Sequence, residues 1–122
     1  MIPSIQHGAL LPEHYTEERC HIVEMSNSAD DPAASIARAR VEPGVTTRWH
    51  RLRDIAERYV ILQGEGRVEI GDTIVQIVGA GDTVLIPLDC AQRISNVGKD
   101  DLVFLAICTP RFEWGAYSSW GD

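Results

Sequence analysis

From about residue 20 to residue 108 the chain alternates short apolar-rich runs with clusters of turn-forming residues. Glu42-Pro43-Gly44, Gln63-Gly64-Glu65-Gly66, Gly71-Asp72, Gly79-Ala80-Gly81-Asp82, Pro87-Leu88-Asp89 and the stretch 96–101 punctuate it. The segments between are rich in Val and Ile and are of strand length, too short for ordinary helices. They predict strands near 20–25, 35–42, 46–51, 57–63, 66–70, 74–78, 83–86, 91–95 and 102–108. Period-two alternation is plain in Ile36-Ala37-Arg38-Ala39-Arg40-Val41. Val68-Glu69-Ile70 and the run 74–78 read as a tight hairpin across a two-residue Gly71-Asp72 turn. A helix is expected only over Pro12 to Glu18. Many short, evenly spaced strands point to an all-β fold, a barrel or jelly roll.

The single domain 1–122 divides into an N-terminal extension (1–19), a barrel (20–108) and a C-terminal tail (109–122). The polar stretch 26–34 is expected to be an exposed loop. The tail carries Phe112, Trp114, Tyr117 and Trp120. So much apolar area is expected to pack on the barrel or on a partner subunit.

Charge narrows the partners. Eighteen acidic residues outweigh eleven basic ones, a formal net charge of -7, which opposes contact with a phosphate backbone. The cluster Arg48, Arg51, Arg53 and Arg58 is interrupted by Asp54 and Glu57, so no nucleic-acid partner is expected. The longest apolar run, Leu102 to Cys108, falls far short of the roughly 18 residues of a membrane-spanning helix, and no membrane partner is expected. Cys20, Cys90 and Cys108 form no C-x-x-C pair, and no secretory signal is visible, so the expected setting is cytoplasmic.

Two stretches carry spacing of chemical interest. Gly44 is followed by His50, Leu52, Glu57 and Gly64, and Gly81 by Pro87, Asp89, Gln92 and Asn96. Together they resemble the two motifs of the cupin superfamily over about 44–96. The resemblance implies a cupin-type double-stranded β-helix, a jelly-roll barrel, and commonly a homodimer. It also implies metal ligands at the first histidine (His50) and the glutamate (Glu57). Leu52 stands where a second histidine is usual and Gln92 where a third is usual. Glutamine also occurs as a ligand in cupin phosphomannose isomerases.

Strand parity supports convergence independently of the family. Glu57, Tyr59 and Ile61 share one face of a strand, as do Arg48, His50 and Leu52. A buried carboxylate has to be bound to a cation, hydrogen-bonded or held neutral. One reading makes His50, Glu57 and Gln92 ligands of one divalent metal, Fe, Mn, Zn or Ni, with open positions for water or substrate. Tyr59 and Arg48 would then orient a small organic acid or sugar for oxygenation or isomerisation. The other reading is a metal-free small-molecule binding or sensing module, motivated by Leu52 and Gln92. His7, His14 and His21 fit no ligand spacing. Cys90 is read as a small buried filler or as a reactive thiol at the barrel mouth, and Cys108 as core. Arg38 and Arg40, on one strand face, point to solvent or line the barrel.

Overall fold

The computed structural model describes residues 1–121; Asp122, the last residue of the expected tail, lies outside the described residues. Eleven strands follow in order: β1 (His14–Tyr15), β2 (His21–Ser26), β3 (Ser35–Val41), β4 (Trp49–Leu52), β5 (Ala56–Gln63), β6 (Glu65–Ile70), β7 (Ile74–Gly79), β8 (Thr83–Ile86), β9 (Gln92–Asn96), β10 (Leu102–Thr109) and β11 (Tyr117–Trp120). They form two antiparallel sheets, one ordered β1-β2-β3-β10-β5-β8 and the other β11-β4-β9-β6-β7. The all-β expectation holds, and all nine expected strands are present with small shifts at their ends.

Alternation places the core between the sheets. On β5, Glu57, Tyr59 and Ile61 are buried; on β6, Gly66, Val68 and Ile70 are. Of these, Tyr59, Ile61, Val68 and Ile70 meet Val41, Ile94, Leu102 and Phe104 in one apolar cluster. Gly64 lets the chain pass from β5 to β6: its φ is +88°, and the backbone of Asp101 and Leu102 presses against the space a Cβ would fill. Asp89 also takes a positive φ, 60°, and its carboxylate accepts the backbone N–H of Asp54 at 3.0 Å. This fits the tolerance of Asp for that conformation.

Three local expectations are corrected. The segment 12–18 is not helical: it contains β1 and a turn, and the short 3-10 turn lies earlier, at Gly8–Leu10. Backbone pairing with β2 takes the groups a helix would have used. The β6–β7 hairpin pairs Ile70 with Ile74, so its connection has three residues, with Gly71 at φ +52°. The strand expected from 46 starts at Trp49, because Arg48 gives its N–H to the Glu18 carbonyl instead.

The N-terminal segment contributes β1 to the larger sheet, and the tail contributes β11, paired to β4. Phe112, Ala116 and Tyr117 pack on a second cluster of Leu52, Ile55 and Cys108. Arg38 and Arg40 face away from the barrel interior; Arg40 donates to Glu13 and Asp101, and Arg38 approaches Glu13.

Candidate active site

Three strands bring the expected residues together. Glu57 and Tyr59 point inward from β5, Gln92 opens β9, and His50 on β4 lies directly opposite Gln92 in the β4–β9 pair. His50 is 2 % exposed, Gln92 1 % and Glu57 8 %. Tyr59 donates its O–H to Gln92 Oε1, and Gln92 Nε2 donates to Glu57 Oε1 at 2.7 Å. The second carboxyl oxygen of Glu57 has only the weak Cys108 thiol donor, at 3.7 Å. His50 Nδ1–H donates to the Arg48 carbonyl at 2.7 Å, and His50 Nε2 faces Glu18 Oε1 at 3.8 Å. Tyr117 stacks on the imidazole with ring centroids 5.4 Å apart.

Electrostatics follow from burial. Loss of water raises the Glu57 carboxyl from 4.5 to about 7; nearby His50 opposes the rise, Glu18 adds to it, and the Gln92 and Cys108 hydrogen bonds moderate it. Burial also lifts Tyr59 well above the usual 10 for a phenol, helped by the Glu57 charge, so its hydroxyl stays a donor. A donor at Tyr59 selects the carbonyl end of Gln92, which turns the amide NH2 toward Glu57. The Tyr117 phenol is pushed up to about 12 by burial, and the Cys20 and Cys108 thiols are pushed up for the same first reason.

Glu57 and Tyr59 open onto a cavity of about 250 Å³. It runs beneath β2, β3 and β10 to the tail, where Phe112 and Trp114 form part of its wall. Arg48 does not join the group: its side chain is absent from the cavity wall and its Nη2 donates to the Gly121 carbonyl at 3.4 Å. Parity misplaced it because residue 48 precedes β4. Sequence reasoning also missed Glu18, Cys20, Phe112 and Trp114. Cys20, just before β2, and Ile22 within it both line the cavity, and continuing the same alternation two residues further back was the available signal for Glu18.

The arrangement does not fit a metal cage built from His50, Glu57 and Gln92. The Gln92 oxygen is taken by a phenol O–H, and its NH2 group, which is not a ligand, faces the carboxylate. His50 Nε2 faces Glu18 rather than the other two. Among the described residues, no three His, Cys, Asp or Glu side chains are grouped to hold a metal ion.

The family profile described as Cupin domain matches residues 37–108, more than half of the chain. The protein belongs to the cupins. No curated protein sequence matches it. Its fold is similar to a predicted oxalate decarboxylase of Thermotoga maritima, at 22% identity and a TM-score of 0.77 over 88% of this chain and 99% of that one. It is similar to Pac13 of Streptomyces, a nucleoside dehydratase solved with uridine in a variant form, at 14% identity and a TM-score of 0.81 over 98% and 92%. It is also similar to KdgF of Halomonas sp., at 14% identity and a TM-score of 0.78 over 89% and 96%. At these identities the likeness establishes the fold. Among the described residues no helix is long and apolar enough to cross a membrane.

Proposed function

We propose that this cupin is an enzyme that moves protons on a small molecule held in the cavity, with Glu57 as its acid–base group. The observation that carries the reading is a carboxyl, buried at the wall of a cavity, whose proton affinity sits near neutrality. A group so poised gives up and takes back a proton at comparable cost, which is what isomerisation and elimination require. The fold relative Pac13 is a dehydratase, and loss of water is proton-transfer chemistry of this kind.

The remaining residues have distinct parts in this reading. Gln92 fixes one oxygen of Glu57 by donating to it, leaving the other to exchange the proton. Tyr59 positions Gln92 and acts through it. The Arg48 contribution is its carbonyl, which holds Nδ1–H of His50 and directs Nε2 toward Glu18. Neutral His50 presents a lone pair at Nε2; protonated, it pairs with Glu18. No step in this scheme passes through a metal at His50, Glu57 and Gln92.

Titration of the Glu57 carboxyl carbon by NMR is the test. A midpoint near 7 is expected, and it should vanish from the spectrum of Glu57→Gln. A midpoint in the ordinary carboxylate range, about 4.3, would overturn the reading.

A further inference from the structure

We infer that the molecule this cavity accepts is a small amine or quaternary ammonium ion, and that Glu18 and the aromatic wall select it over neutral and anionic molecules of the same shape. The inference rests on the reading above, since it concerns the same cavity.

Glu18, Glu57 and the solvent-exposed Glu24 line the cavity and, among the described residues, no Lys or Arg does. The nearby guanidinium groups are committed elsewhere. Arg38 and Arg40 turn to Glu13 outside the barrel, Arg111 donates to Asn27 and Glu113, and Arg48, whose buried Nε has no partner among the described residues, sends Nη2 to Gly121 and does not line the cavity. The two groups able to gain positive charge there are His14 on the wall and His50 facing Glu18. An entering carboxylate or phosphate would find no guanidinium fork or ammonium to compensate it, and would lie among like charges. A sugar would find few unengaged polar groups, because the Thr16, Ser35 and Thr47 hydroxyls of the wall already hydrogen-bond to backbone and most of the remaining lining is apolar or thiol.

The same wall is suited to a cation. Tyr59 and Phe104 lie tilted against each other with centroids 4.4 Å apart, and Phe112 meets Trp114 edge to face at 4.9 Å. All four line the cavity. Aromatic surface attracts an alkylated ammonium through the ring quadrupole, and more strongly where water is excluded. Glu18 is largely buried at one end, supplying the counter-charge. This proposal differs from the substrate expectation drawn from the sequence, in which a small organic acid or sugar was to be oriented by Arg48.

Three molecules of one shape separate the possibilities: choline, the neutral alcohol in which carbon replaces its nitrogen, and tert-butylacetate. Their dissociation constants for the full chain are to be measured by calorimetry and ligand-observed NMR. Choline should bind at least about tenfold tighter than the alcohol, with tert-butylacetate weakest. Glu18→Gln should bring choline close to the alcohol, whose own affinity stays within about twofold and thereby reports an intact cavity. Equal binding of choline and the alcohol, tighter binding of tert-butylacetate, or saturation by none of the three would overturn the inference. An unchanged preference for choline in Glu18→Gln would overturn the role of Glu18. Failure here with a Glu57 midpoint near 7 leaves the acid–base reading standing. A Glu57 midpoint in the ordinary range removes that reading whichever molecule binds.

Discussion

At the scale of single residues, Glu57 links chemistry to stability. Folding raises its carboxyl from 4.5 to about 7, so between these values the folded chain binds more protons than the unfolded one. Its stabilising contribution is therefore complete below about pH 4.5 and is lost as pH rises through about 7. The span corresponds to about 3 kcal/mol. Glu57→Gln cannot ionise; we expect its urea-unfolding stability to be flatter across this window and to exceed that of the parent by about 1 to 3 kcal/mol above about pH 8. A variant destabilised equally at every pH would contradict the assignment. Parity made most of this group legible, because His50, Glu57 and Tyr59 sit within strands and the strand period fixes their facing. It failed for Arg48, which lies one residue before β4, and it was not carried to Glu18, which lies ahead of the expected strand 20–25 in a segment expected to be helical.

At the scale of elements, the turns carry much of the specification. Gly64 and Gly44 both have positive φ, +88° and +80°, yet they differ in surroundings. A Cβ at Gly64 would lie 2.7 Å from the Asp101 carbonyl oxygen and 3.0 Å from Leu102 Cα, whereas nothing lies within 4 Å at Gly44. Gly44→Ala should thus cost only the conformational term, about 1 kcal/mol, while Gly64→Ala should cost more than about 2 kcal/mol, measured by chemical denaturation. Equal costs would show that the β5–β6 turn relaxes away from the β10 entry. Nine strands were visible in the sequence because Val, Ile and turn residues mark them locally. The pairing strands β1 and β11 were not: one has two residues, and the other, Tyr-Ser-Ser-Trp, is defined by its partner β4 rather than by its own propensity.

At the scale of the molecule, the C-terminal segment extends one sheet and caps a small apolar cluster. The tail covers Leu52, Ile55 and Cys108, adds a strand beside β4 and brings Tyr117 against His50. A chain ending at Pro110 should therefore lose on the order of 3 kcal/mol or more and melt at lower temperature, with unchanged size-exclusion behaviour. A changed elution volume with undiminished stability would instead make the tail a subunit contact. The barrel architecture was legible from strand count and spacing. The dependence of the site's floor on residues 112–120 was not, because aromatic composition identifies a segment that packs without saying where.

Trp114 stands at the end of this arrangement, 53 % exposed, its ring steeply inclined to those of Phe112 and Tyr117, and it forms part of the cavity wall. An indole so placed emits according to the polarity beside it, and its excited state is quenched or shifted when water there is replaced. The other two tryptophans lie away from that wall, Trp49 beneath the Arg93 guanidinium and Trp120 on β11. The protein thus carries its own optical gauge of cavity occupancy, with no added label.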